Sequence, residues 1–246
     1  MTEPGFTLFA ADPDVARWAR AAEVAASDLL RDPQVRARQL RHGETWFVGV
    51  DLLPNLPDGS VGSVPLRGPW ENHIDLPMTW HSAQVSVVYP GYPRQDPAES
   101  DANHRYRRNR HAAHVDGLLP IGSDRRRFLR EPHAFVLGLP LNGVTGAPLM
   151  VWPGSHLVMG AAFRDAIGGE DPCDVDLTEP YHAARRICFD TITPMQVDMR
   201  PGQAVLLHRH LLHGVAAWAA EESACPEGRM VAYFRPQFSA QAWLAR

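Results

Sequence analysis

Apolar positions recur at helical spacing mainly near the start of the chain. Over residues 14–31, which open DVARWARAAEVAASDLL, the residues Val15, Trp18, Ala22, Val24 and Leu29–Leu30 fall at roughly the 3.6-residue period. Asp12 or Asp14 stands where a carboxylate can accept from the free amides of a first helical turn. A second, shorter helix is predicted over residues 33–41. From Thr45 the pattern changes. TWFVGVDLL is β-branched and aromatic enough to run extended, and the LPNLPDGSVGSVP that overlaps its end has the Pro, Gly, Asn and Asp density of a long loop.

Beyond Trp80 the chain breaks into short β-rich runs divided by turn residues. These are AQVSVVY (83–89), AHVDG (113–117), HAFVLGLPL (133–141), PLMVW (148–152), MQVDM (195–199), QAVLLHRH (203–210) and RMVAYFRP (229–236). The stretch 157–190 interrupts them. Its second half, TEPYHAARRICF, reads as a helix with Thr178 as cap and Pro180 in the first turn. Seven or eight short strands behind a helical start predict a mainly β fold: a jelly-roll (double-stranded β-helix, cupin-like) core over 81–238, with N-terminal and inserted helices packed outside. No linker or internal repeat divides the chain, so residues 1–246 are read as a single domain, of which 1–44 is the helical part. The loop 54–80 and the insertion 157–190 are expected to form a lid.

Composition narrows the function classes. A net charge of -4 argues against general nucleic-acid binding. No run approaches the roughly 20 apolar residues of a membrane span, and the N-terminus lacks the basic and apolar segments of a signal peptide. Three cysteines (Cys173, Cys188, Cys225) make an odd count without paired metal spacing, which suits reduced thiols and a cytoplasmic location. The expected partner is a small-molecule substrate.

Histidine is where the chemistry gathers. Of 12 histidines, six lie in two clusters: His104, His111 and His114, then His208, His210 and His213. In an extended strand side chains alternate, so in HAAHVDG the residues His114 and Asp116 share a face, with Val115 opposite. An imidazole and a carboxylate so placed can grip one metal, and Gly117 lets the chain turn away close by. A third ligand must come from a distant strand. PGQAVLLHRHLLHG supplies candidates: Pro201–Gly202 turn the chain, an apolar run follows, and His213 sits near its far end. Two imidazoles and a carboxylate on one face leave coordination positions open, the arrangement of non-haem iron(II) oxygenases.

Four pieces, in order, resemble the phytanoyl-CoA dioxygenase family of iron(II)- and 2-oxoglutarate-dependent oxygenases: HVDG at 114–117, PLMVWPGSH at 148–156, PGQAVLLHRHLLHG at 201–214, and Arg229 in GRMVAYFRP. The resemblance implies that His114, Asp116 and His213 hold iron(II). It implies that Arg229 pairs with the distal carboxylate of 2-oxoglutarate, a role suited to a guanidinium fork. Arg229 lies sixteen residues after His213, farther than is usual in the family, with the extra length in AWAAEESACPEG, read as a longer hairpin loop. Arg235 on the same strand face is the alternative. The implied reaction consumes dioxygen and releases succinate and carbon dioxide. Related halogenases carry a small residue where Asp116 stands, so a carboxylate there favours hydroxylation of a small organic substrate. The alternative is a cupin-type metal dioxygenase or isomerase that does not use 2-oxoglutarate.

The remaining polar residues divide between structure and substrate. His208 and His210 are read as packing or supporting groups, and His104 and His111 as solvated. Pro153–Gly154 turn the chain, Ser155 and His156 bond nearby backbone, and His156 is also a candidate for lining the site. The arginines of HRYRRNRH (104–111) and RRRFLR (125–130) flank the expected mouth. Arg108 and Arg126 are therefore candidate contacts to an anionic substrate.

Overall fold

A computed structural model of the chain describes residues 3–75, 79–219 and 225–245. Parts of the expected lid loop (76–78) and of the expected hairpin loop (220–224) lie outside the described residues. The chain order is β1 (Phe6–Phe9), α1 (Pro13–Arg31), α2 (Pro33–Gln39), β2 (Leu40–Arg41), β3 (Trp46–Phe47), β4 (Gln84–Val88), α3 (Asp101–Asn109), β5 (Leu118–Ile121), β6 (Arg126–Leu129) and β7 (Phe135–Pro140). Then come β8 (Leu149–Val151), α4 (Ser155–Ile167), α5 (Thr178–Thr191), β9 (Met195–Val197), β10 (Ala204–His208), β11 (His213–Val215), β12 (Arg229–Phe234) and α6 (Ala240–Leu244).

Strand alternation builds the jelly roll. A seven-stranded antiparallel sheet runs β1-β10-β7-β12-β4-β3-β2, and a three-stranded sheet runs β11-β8-β9. On β4, Val85 and Val87 turn to one side, as do Met230, Ala232 and Phe234 on β12, and they pack with Trp18, Ala19 and Ala22 of α1. The alternate positions of the large sheet, including Val136, Val205, Val231 and Tyr233, meet Leu149, Val151 and Val197 of the small sheet. The interior between the two sheets is therefore half apolar core and half site. β5 and β6 form a separate hairpin.

Helix α1 starts as expected: Asp12 accepts from the Asp14 and Val15 amides at 2.8 and 3.2 Å, and Pro13 fills the first position. Its buried face is Val15, Trp18, Ala19, Ala22 and Ala26, whereas Val24 is 65% exposed. Small alanines let the helix lie close on the sheet, which a reading weighted toward large apolar residues does not foresee.

Several local expectations change. β1 pairs with β10 at the edge of the large sheet; four residues are too short a run to signal it. The arginine-rich segment 101–109 is helix α3, capped by Ser100. Beneath it lies Glu99, which takes Arg107 Nε at 3.3 Å and stands 3.5 Å from His104 Nδ1 and 3.7 Å from His42 Nδ1. His104 therefore faces a carboxylate instead of water. Thr178 is the first helical residue of α5, not its cap; its hydroxyl donates to Asp176 Oδ1 at 2.6 Å. The 157–190 insertion forms α4 and α5 and docks on β6, with the Leu177 amide donating to Arg127 O at 2.9 Å. No helix among the described residues is long and apolar enough to cross a membrane.

Candidate metal centre

The run QAVLLHRHLLHG is not one strand. β10 ends at His208, residues 209–212 cross from the large sheet to the small one, and β11 begins at His213, opposite Val151 of β8. The crossing is anchored by Ser155, whose Oγ accepts from the Leu212 amide at 2.9 Å, and by the Leu212 carbonyl, which takes the Trp152 amide at 3.0 Å. Ser155 thus bonds backbone as expected and sets where β11 begins, whereas the His156 side chain makes no such bond: its Nδ1 is buried without a partner among the described residues, and its ring packs on His208 instead.

His114 and His213 exchange backbone hydrogen bonds, His114 N to His213 O at 2.8 Å and His213 N to His114 O at 3.1 Å. The 113–116 segment behaves as a further short strand beside β11. Ala113 and Val115 turn into the core around Trp152 and Leu212, which leaves His114 and Asp116 on the opposite side. Gly117 then reverses the chain at φ +88°, and its carbonyl accepts from the Arg130 and Glu131 amides at 3.0 and 3.2 Å.

The ligand-type atoms of His114, Asp116 and His213 all lie within 4.8 Å of one another. His114 Nε2 is 3.1 Å from Asp116 Oδ1, and His213 Nε2 is 3.6 Å from Asp116 Oδ2. The far nitrogens settle the tautomers. His114 Nδ1 meets Ala112 O at 3.0 Å and His213 Nδ1 meets Leu211 O at 2.9 Å. A carbonyl only accepts, so each neutral ring carries its proton on Nδ1 and turns the Nε2 lone pair toward the carboxylate. Three acceptors converging on one point repel unless a cation sits among them. This donor set fits a divalent metal, with backbone carbonyls orienting both imidazoles.

Arg235 completes the cluster. Its Nε donates to Asp116 Oδ2 at 2.7 Å. Burial, the largest single influence, would raise the Asp116 carboxyl, but the Arg235 charge and the adjoining His114 and His213 rings together outweigh it and hold the group well below the usual carboxylate range. Asp116 is thus ionised and aimed before any metal arrives.

The triad opens into a cavity of about 1170 Å³, whose walls include Arg235, Gln84, Tyr233, His81 and Trp80. The 54–80 loop contributes Pro57, Thr79 and Trp80 to the wall, whereas no residue of 157–190 lines it. Nor do Arg108, Arg126 or His156. Arg126 is held by Asp176 and by Glu179, the latter at 3.4 Å, and Arg108 stands on exposed α3. Arg229 lies at the other end of β12 from Arg235, buried in a small hollow with Thr145, Leu149, Met199 and Val231. Leu149 borders both hollow and cavity. Among the described residues no acceptor meets Arg229 Nε. Sequence reading missed Gln84 and Tyr233 as cavity residues. The signal was present in AQVSVVY, where Gln84 and Ser86 alternate with valines that face α1.

His208 and His210 stand apart from the centre. His208 stacks near His156 (ring centroids 4.9 Å), and His210 packs against Trp243 at 4.3 Å. Burial, then the Arg209 charge, pushes His208 down to about 3, and burial with the neighbouring His208 takes His210 well below its ordinary range. His208 Nδ1 also accepts from the His210 amide at 3.0 Å, which requires that nitrogen unprotonated. On unfolding the rings return toward 6.5, so the unfolded chain binds more protons between about pH 6.5 and 3. This stabilisation is complete above pH 6.5 and is lost as pH falls through that window, at about 1.4 kcal/mol per pH unit for His208. Urea unfolding at pH 7.5 and 5.5 should show the loss, and His208→Gln should flatten it; equal pH dependence in the two proteins would contradict the assignment.

No protein-family model matches the chain, and no curated protein matches it. Among solved structures, EctD from S. alaskensis with 2-oxoglutarate and 5-hydroxyectoine is 16% identical, with 94% of this chain and 71% of that chain covered and a TM-score of 0.44. The same protein with bound Fe gives 17%, 94%, 72% and 0.46. SnoK, a non-heme alpha ketoglutarate dependent carbocyclase from nogalamycin biosynthesis, gives 15%, 95%, 80% and 0.47. These neighbours are described with iron, 2-oxoglutarate or both.

Proposed function

We propose that the chain is a non-haem iron(II) oxygenase that uses 2-oxoglutarate and dioxygen, most simply to hydroxylate a small organic substrate. The observation that carries this reading is the convergence of two Nε2 lone pairs and one ionised carboxylate at the wall of a large cavity. His114, Asp116 and His213 would hold the metal. Iron(II) bound there, with 2-oxoglutarate and dioxygen, supplies the oxidising power that no side chain has, the keto acid leaving as succinate and carbon dioxide. The chain's own residues orient and exclude. Ala112 O and Leu211 O fix the imidazole planes, Arg235 fixes the carboxylate, and the apolar wall around Trp80 and Leu149 keeps water from the reacting groups.

Arg229 is the proposed partner of the distal carboxylate of 2-oxoglutarate. A guanidinium buried to 6% exposure with an unmatched Nε is costly unless an anion joins it. Arg229→Met should weaken 2-oxoglutarate binding at least about 30-fold, the loss expected when one partner of a buried charge pair is removed. Metal affinity should hold, and the ligand-free variant should be no less stable than the parent. Titration calorimetry with the metal-loaded protein checks this. Unchanged 2-oxoglutarate affinity in Arg229→Met, with loss in Arg235→Gln, would move the role to Arg235. No binding to the parent would favour a cupin-type dioxygenase or isomerase that needs no oxo acid.

A further inference from the structure

Two polar groups on the cavity wall are left over by this reading, and both point to the substrate. Gln84 is 5% exposed and lines the cavity; its Nε2 donates to Val48 O at 2.7 Å, while its Oε1 is buried with no hydrogen-bond partner among the described residues. The orientation is fixed, because a reversed amide would set two acceptors against each other. A buried orphan acceptor calls for a donor, at a cost of about 1–3 kcal/mol if none comes. At neutral pH 2-oxoglutarate carries no N–H or O–H and cannot supply one.

Arg235 supplies the second group. Its Nε is taken by Asp116, and its remaining N–H groups make no hydrogen bond among the described residues and lie at the cavity wall. The guanidinium rests over the Tyr233 ring at 5.4 Å, which fixes its plane. Tyr233 pairs across the sheet with Gln84, so Arg235, two residues on, is a diagonal neighbour of Gln84 at about 7–8 Å between backbones. A planar donor fork and a residue with a lone acceptor thus belong to the wall of one cavity, which the metal ligands also line. Trp80, Val136 and Leu149 add apolar surface to the same cavity wall.

Resting on the oxygenase reading, we propose that the substrate is a small amino or hydroxy acid with an apolar body. Its carboxylate pairs with the free edge of Arg235, and its N–H or O–H donates to Gln84 Oε1. Asp51 and Glu131 also line the cavity, so an ammonium is accepted as the donor. Two-point anchoring from one sheet face presents the remainder of the molecule to the metal side.

The test separates this from the oxygenase reading itself. The protein is loaded with zinc(II), which does not turn over, and 2-oxoglutarate binding is measured first by calorimetry; absence there defeats the parent reading and leaves substrate binding to be judged alone. Binding is then measured by thermal shift for apolar L- and D-amino acids, the matching 2-hydroxy acids, their desamino acids and their methyl esters. At least one acid should bind, with its ester and its desamino analogue each weaker by about 10-fold or more, the loss expected for one hydrogen bond to a charged or buried group. Arg235→Gln, which keeps a donor for Asp116, should erase the acid-over-ester preference. Gln84→Leu should erase the preference for the donor-bearing acid. Zinc affinity, read in parallel, reports whether either variant has disturbed the triad. The proposal is overturned if no member of the panel binds, if ester and acid bind alike, or if both preferences survive in the variants, as they would were Gln84 bonded to water only.

Discussion

His213→Ala should lose stoichiometric metal binding while the protein stays folded. The ring is buried, stands at the first residue of β11, and is locked by Leu211 O. Alanine keeps the backbone exchange with His114, so β11 still pairs, but the centre is left with two ligands from one segment. Loss of a supporting hydrogen bond behind a metal ligand costs about 10–100-fold in affinity. Removal of the ligand itself should exceed about 100-fold by the same scale. The neighbouring histidines give the contrast. His210→Ala removes packing against Trp243 and Phe163 and should lower stability, yet leave metal affinity unchanged. Equilibrium dialysis with iron(II) under anaerobic conditions, beside urea unfolding, separates the two. Equal metal loss in both variants would place the third ligand wrongly.

Gly117→Ala should be strongly damaging for so small a substitution. A Cβ at Gly117 would stand 2.1 Å from Glu131 O, a backbone atom, at φ +88°. Neither the steric overlap nor the left-handed conformation can be relieved by a side-chain rotation. The expected cost is about 2–4 kcal/mol, combining the positive-φ penalty with a forced backbone shift. Because Asp116 is the preceding residue, metal affinity should fall as well. Gly122 supplies the control: its φ is +71° but nothing lies within 4 Å of an added Cβ, so Gly122→Ala should cost about 1 kcal/mol. Denaturant midpoints for the two variants check the difference, and similar midpoints would show that the 117 turn is not a tight constraint.

These two sites also mark what the sequence makes legible. Strand alternation alone set His114 and Asp116 on one side and Val115 on the other, and the structure has that arrangement. The end of α1 and the strands β4, β7, β8, β10 and β12 follow from local patterns within one or two residues. The break between β10 and β11 does not, because apolar pairs flank it on both sides (Leu206–Leu207 and Leu211–Leu212) and no Gly or Pro stands where the chain changes sheets. What turns it is Ser155, which lies far away in the sequence. The Arg235–Asp116 bond spans 119 residues and is likewise invisible to any local signal. Helix α3 was hidden by its composition, since a helix without a buried face shows no apolar period. The choice of His213 over His208 and His210 comes from the family resemblance and not from local spacing; the fold puts the other two in the packing around His156 and Trp243.

The placement of Arg229 explains why the co-substrate is the most informative probe. Arg229 sits deep on β12, away from the Asp116 cluster, and on the proposed reading the co-substrate reaches from the metal toward the hollow beside Leu149. Anaerobic titration of the apoprotein with iron(II), then 2-oxoglutarate, therefore tests the central claim most directly. A weak visible charge-transfer band should appear only when both are present, and should be absent in His213→Ala. No band in the parent protein, or an undiminished band in His213→Ala, would contradict the account.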